Sequence, residues 1–315
     1  MLKGLRILPE NPKINFIGLR FFTYVISSLV VFGSLGLFLI KGLSYGIDFK
    51  GGTMIEVRTP GPADLAKMRA DLSALDLGNV ALQEFGSAQD ILIRVEQQSG
   101  DEKDQLKAIE RIKETLDADT EYRRIETVGP TVGSEMVSNS IQAILWALVA
   151  MLIYIWLRFE WQFGLCAILA LMHDALSILG LYSLFGLEFN LTAIVAILIT
   201  IGYSINDTVV IYDRVRENLR KFKKMELSAV LNLSINETLG RTILTSSSTL
   251  LALFALYYFG GEVIANYSLP ILVGVAVGTY SSIFLAAPLL LSFNFKVRQD
   301  DEKKVEFQND VSAKG

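Results

Sequence analysis

One cysteine and one histidine occur in 315 residues, and that scarcity removes several classes of protein. Cys166 alone cannot close an intrachain disulfide, and within an apolar run it reads as a small buried hydrophobe. His173 is followed by Asp174, but neighbours on a helix point about 100° apart and make no metal site by themselves. The stretch of ordinary soluble composition, residues 41–135, has neither His nor Cys, so it offers no nucleophile–base pair and no zinc constellation. It also lacks a basic excess, with 12 Lys+Arg against 18 Asp+Glu, which argues against nucleic acid as a partner. Gly46, Gly51 and Gly52 lack the Walker spacing and the strand-to-helix setting of a phosphate loop; a tight turn explains them. No enzyme activity is expected.

What the chain has in quantity is apolar residues: 51% are hydrophobic and the mean hydropathy is +0.41. They fall in six runs, 21–40, 138–157, 163–184, 190–212, 241–260 and 267–293, each near or above the roughly 20 residues that cross about 30 Å of hydrocarbon. The first run is too long for a signal-peptide core, and no A-x-A site follows Lys41, so it is read as a retained helix. Lys and Arg cluster before the first run, at Arg158, and from Arg214 to Lys224, whereas Gly186–Asn190 and Gly260–Asn266 carry none. The positive-inside rule then places residues 1–20, 213–240 and 294–315 in the cytoplasm and 41–135 outside. Alternating cationic and apolar character over 213–240 predicts an amphipathic helix on the membrane surface. The tail from 294 is short and charged, and is expected to be disordered.

Residues 41–135 read as β-α-β-β-α-β. Thr53–Thr59 alternates like a strand, and Leu65, Met68, Leu72 and Leu75 recur at helical spacing. Val80–Phe85 and Ile91–Val95 are strands flanking a turn, Asp101–Leu116 is helical, and Tyr122–Val128 is a last strand. This is the split βαβ order of ferredoxin-like domains. The expected fold is therefore an α-helical membrane protein with six transmembrane helices and one external α+β domain.

Within the apolar runs, Asp207 is the conspicuous residue, about sixteen positions into the fourth. An ionised carboxylate at the centre of a bilayer is unfavourable by roughly 3 kcal/mol on insertion scales, so such residues mark function by default. Thr200, Tyr203 and Ser204 share its helical face. Arg241 is expected at the start of the fifth helix, at similar depth, followed on one face by Thr245, Ser248 and Thr249. Two readings stand: a static ion pair that fixes packing, or a proton site whose affinity Arg241 sets. Asp174 is assigned a minor share in that relay. Gly274, Gly278, Ser281 and Ser282 form a small-residue face suited to close helix contact.

GIDFKGG (Gly46–Gly52) directly after a first membrane helix, the external α+β domain, five further helices, and GYSINDTVVIYDRVREN (Gly202–Asn218) together resemble the SecD/SecF family, and within it the SecF members. Gly46, Asp48, Gly51, Gly52, Asn206 and Asp213 are the motif positions that carry the likeness. The resemblance implies half of the twelve-helix architecture of the RND superfamily, with SecD supplying the other half as a heterodimer. It further implies a bacterial inner-membrane protein with a periplasmic domain that works with SecD beside the SecYEG translocon with SecA and YajC on an exported unfolded polypeptide. The driving force would be the proton motive force, with no cofactor, through the positions matching Asp207 and Arg241. Three alternatives stand beside it: a half-unit of an RND-type lipid or drug exporter, a scaffold without energy coupling, and an intramembrane aspartyl protease using Asp174 and Asp207. The protease lacks its YD and GxGD signatures.

Overall fold

A computed structural model describes residues 12–78, 80–98, 102–117 and 119–293. In chain order it contains α1 (Arg20–Lys41), β1 (Ser44–Tyr45), α2 (Ile47–Lys50), β2 (Gly52–Arg58), α3 (Leu65–Ser73), β3 (Val80–Phe85), β4 (Ser87–Val95), α4 (Glu102–Thr115) and β5 (Glu121–Val128). Then follow α5 (Pro130–Arg158), α6 (Trp161–Phe185), β6 (Glu188–Phe189), α7 (Leu191–Lys221), α8 (Leu227–Phe259), α9 (Gly261–Ser281), a π-helical turn Ser282–Ala286, and α10 (Ala287–Ser292). The expected tail 294–315 and the first eleven residues lie outside the described residues.

Among the described residues, six helical segments are long and apolar enough to cross a membrane: α1, α5, α6, α7, α8 and the continuous rod from α9 through α10. Half of the spanning window is buried in α6, α7 and the last rod, against 17% in α1 and 11% in α5 and α8. Three inner helices are therefore sheathed by three outer ones, whose exposed Phe21, Phe22, Trp146, Trp156 and Tyr258 face outward. Small residues let the inner helices approach closely, as expected where lipid supplies no hydrophobic drive. A Cβ at Gly274 would overlap the Thr200 side chain, one at Gly278 would sit 3.0 Å from Ser204 Cβ, and one at Gly180 would overlap Ser34 of α1.

The α+β domain has the antiparallel strand order β3-β4-β2-β5, the ferredoxin-like arrangement expected from the element order. Period-two alternation sends Ile55 and Val57 of β2, with Ile91 and Ile93 of β4, to the face covered by α3 and α4, where they meet Leu72, Ala108, Ile109 and Ile112. Asp64 caps α3, its carboxylate accepting from the Ala66 and Lys67 amides at 3.0 Å. The opposite face, with Met54, Glu56, Leu92 and Arg94, lies toward the end of the helical bundle. There Arg94 donates to Ser44 Oγ of β1 (3.1 Å) and pairs with Glu188 of β6 (3.5 Å). Strands β1 and β6 are themselves paired, in parallel.

Several element boundaries depart from the sequence reading. Residues 130–135, assigned to the domain, begin α5, because Pro130 stands at its first turn, where a missing N–H is tolerated. The surface amphipathic helix expected over 213–240 is not formed. Instead α7 continues to Lys221 and α8 starts at Leu227, so the segment becomes the two arms of a helical hairpin. Its apolar residues Val215, Leu231 and Ile235 are buried in one cluster with Phe16 and Ile17; they found each other rather than lipid. Asn232 and Asn236 then pin the N-terminal segment, accepting from the Phe16 amide at 2.8 Å and the Ile14 amide at 3.0 Å. Arg241, expected at a helix start, consequently stands in the middle of α8.

Candidate functional site

The inner helices carry hydroxyl and carboxyl groups whose bonds run between helices. At the centre is Asp174 of α6, fully buried. Its Oδ2 accepts from Ser204 of α7 at 2.6 Å and from Ser281 of α9 at 2.7 Å, and its Oδ1 lies 2.9 Å from His173 Nδ1. One carboxylate thus ties together all three inner helices. His173 Nε2 has no partner among the described residues.

Asp207 is one turn further along α7 than Ser204 and is 3% exposed. It accepts one contact, from Ser246 of α8 at 3.4 Å, near the limit for a hydrogen bond. Ser246 is shared with Thr279 of α9 (2.8 Å) and with the Tyr203 hydroxyl (3.4 Å). Arg241 is exposed, and among the described residues no ion pair within 4.0 Å joins it to Asp207. Beside this group, Thr208 meets Ser282 at 2.9 Å, and Ser282 donates to the Ser204 carbonyl at 3.0 Å. The π turn that begins at Ser282 shifts the helical register and frees carbonyls, a feature frequent at functional sites. Tyr212 caps the Ala286 carbonyl at 3.1 Å and Thr23 of α1 caps that of Phe284 at 3.1 Å.

The glycine motif builds a joint between the domain and α7. Gly46 starts α2 with its amide bonded to the Phe189 carbonyl at 2.9 Å. Two residues on, Asp48 Oδ2 accepts from the Leu191 amide at 3.0 Å, placing a carboxylate at the positive end of the helix that carries Asp207. Gly51 and Gly52 both have positive φ, and a Cβ on Gly52 would overlap the Val95 carbonyl, so only glycine turns the chain here into β2.

Asn206 is exposed, about 100° around α7 from the buried Asp207, and Asp213 pairs with Arg158 at 2.7 Å outside the inner cluster. Neither joins the carboxyl core. Over residues 241–249 of α8 the buried polar side chains are Thr242 and Ser246, one position away from the anticipated stripe. Thr245, Ser248 and Thr249 turn back to carbonyls of their own helix, at 3.0, 2.8 and 3.1 Å. Ser281 and Ser282, read only as packing residues, also hydrogen-bond within this cluster, Ser281 to Asp174 and Ser282 to Thr208 and the Ser204 carbonyl. The signal was present in the run Thr279–Ser282, four hydroxyl-bearing residues together in an apolar helix. Among the described residues, no three His, Cys, Asp or Glu come together as metal ligands.

The fold and site define a multi-pass membrane protein with a buried carboxyl–hydroxyl core joined to one ferredoxin-like domain. Residues 108–296 match the family described as protein export membrane protein SecD/SecF, C-terminal, and residues 36–59 match the SecD/SecF GG motif. The protein translocase subunit SecF of Rickettsia rickettsii is 46% identical over 96% of this chain and 97% of its own length. That of Rickettsia bellii is 47% identical over 92% and 96%. A crystal structure of SecDF from Thermus thermophilus, described as a translocon-associated membrane protein, superposes with a TM-score of 0.83 at 34% identity over 91% of this chain. The chain spans only 40% of that longer SecDF chain. It belongs to the SecD/SecF family of protein-export membrane proteins.

Proposed function

We propose that this chain is a SecF-type subunit which, with SecD, uses the proton motive force to assist protein translocation through the Sec translocon. The observation that carries the reading is the contrast between the two buried carboxyls. Asp174 is saturated by three short contacts, whereas Asp207 accepts a single contact at 3.4 Å. A buried carboxylate so poorly bonded is costly to keep ionised in hydrocarbon, and its free lone pairs are available to a proton. Asp207 is the group that loads and releases it, Arg241 is the charge that approaches or withdraws, and Asp174 holds the three inner helices in register around it.

A proton crossing the membrane potential releases roughly 2.3 kcal/mol per 100 mV, enough to tilt a two-state element. The route outward is α7 itself, whose end is capped by Asp48 next to the glycine joint, so a shift of α7 reaches the first strand of the domain. In this reading the domain is periplasmic, both termini are cytoplasmic, and the membrane is the bacterial inner membrane. SecYEG with SecA, YajC and the exported polypeptide are the further partners, and no cofactor takes part.

The test is export of a secreted substrate into vesicles carrying this chain with SecD, with ATP supplied, with and without an imposed proton gradient. Asp207→Asn and Arg241→Met are expected to abolish the gradient-dependent stimulation while still assembling with SecD. Full stimulation in either variant would refute the relay.

A further inference from the structure

We infer that the end of the bundle where α5 and α7 finish holds a binding site for the phosphate of an anionic phospholipid headgroup. The two helices and their flanking turns enclose an open cavity of about 570 Å³ lined by Arg158, Asp213, Arg216, Glu217, Arg220 and Lys221. Its two acids are already committed. Asp213 pairs with Arg158 at 2.7 Å and Glu217 with Arg214 at 2.7 Å. Arg216, Arg220 and Lys221 remain, and among the described residues none of them has a carboxylate within 4.0 Å.

The bland account of such cations is that they complement helix dipoles, since Arg158 ends α5 and Lys221 ends α7. Each helix end carries only about half a negative charge. Arg214 is shared with Glu237 at 2.6 Å and Lys221 lies over the Phe222 ring at 5.1 Å, so Arg158, Arg214, Arg216, Arg220 and Lys221 set against Asp213, Glu217 and Glu237 leave two positive charges, of which the two helix ends offset about one. Arg216 spends one donor, Nη1, on the Arg158 carbonyl at 2.9 Å, which fixes its guanidinium and leaves the rest of the fork free. A fixed guanidinium with unspent donors is suited to phosphate oxygens, which it can bind in bidentate fashion.

Position then selects the lipid over a soluble phosphate. Trp156, Leu157 and Trp161 are 68%, 83% and 60% exposed beside the same helix ends, and exposed Trp at the end of a spanning helix marks the headgroup level. A phosphate seated among Arg216, Arg220 and Lys221 would have its acyl chains running down the Trp156 flank. This site is separate from the carboxyl core and does not depend on the proton reading.

The experiment is native mass spectrometry and lipid titration of the full chain in detergent, comparing phosphatidylglycerol with phosphatidylcholine. Wild type is expected to retain one phosphatidylglycerol more strongly than phosphatidylcholine. Since each cation near an anionic surface contributes roughly a factor of five, R220Q/K221Q is expected to weaken that binding about 30-fold. R216Q, tested alone, is expected to reduce the same selectivity, while K67Q/K107Q on the α+β domain leaves it intact. Equal retention of the two lipids, unchanged selectivity in both cavity variants, or equally strong binding of glycerol phosphate alone would each overturn the assignment.

Discussion

Replacing Asp174 by Ala removes the acceptor shared by Ser204, Ser281 and His173 at 2.6, 2.7 and 2.9 Å. Interhelical hydrogen bonds in membranes contribute about 0.6 kcal/mol on average and up to about 1.7, less than burial alone would suggest, because the unfolded chain also finds partners there. Three contacts to one carboxylate, taken from the average to the top of that range, give a loss of about 2 to 5 kcal/mol. The loss is softened at the two serines: Ser281 Oγ already lies 3.1 Å from the Gly278 carbonyl and can turn to it, and Ser204 Oγ lies 3.4 Å from Ser281 Oγ. Asp174→Asn keeps an acceptor for both serines, and its amide can face His173 in the other tautomer, so its loss is expected to be about 1 kcal/mol. The assay is thermal unfolding of the purified chain in detergent, followed by tryptophan fluorescence and monodispersity. The expected order of stability is wild type, then Asn, well above Ala. An Ala variant as stable as wild type would refute the three-helix clasp.

Gly274→Ala forces a methyl group into Thr200 and is expected to lose about 1 to 3 kcal/mol by overpacking; adding Thr200→Ala should restore part of it in the same unfolding assay. Between the domain and the bundle, burial pushes the Glu188 carboxyl above its ordinary range while Arg94 opposes this. Its contribution to docking is therefore complete below the ordinary carboxylate pKa and is lost as pH rises through the elevated value. Glu188→Gln is expected to be neutral or stabilising at pH 7 and to remove that pH dependence. Arg94→Ala, which strands a buried charge, should lose up to about 3 kcal/mol, read as faster hydrogen exchange in β1 and β6. Tyr212→Phe uncaps a π-turn carbonyl and is expected to destabilise by about 1 kcal/mol, with increased exchange confined to the segment from Ser282 onward.

The architecture was legible because its signals are long. Six apolar runs and a period-two to period-3.6 alternation survive errors of several residues, and the strand order followed from the split βαβ pattern. The hairpin over 213–240 was not, because a face of Val215, Leu231 and Ile235 looks the same whether it meets lipid or another helix. Asp207 announced itself as a charge in an apolar run, and its polar neighbours Tyr203 and Ser204 lie where helical spacing put them. Asp174 was underrated, since its importance comes from Ser204 and Ser281, residues 30 and 107 positions away. No local window contains that convergence. The α8 stripe was misplaced by one position because helix rotation is decided by packing, here of Ser246 against Thr279. The glycine motif was correctly read as a turn, but its reach to the Leu191 amide through Asp48 depends on the β1–β6 pairing.

The central claim is that Asp207, and not the better-bonded Asp174, carries the proton. Infrared difference spectroscopy of the chain reconstituted with SecD, titrated across neutral pH, reads it directly through the carbonyl stretch of a protonated carboxylic acid. The account predicts a pH-dependent band that is absent in Asp207→Asn and retained in Asp174→Asn. A band that persists in Asp207→Asn and disappears in Asp174→Asn would contradict it.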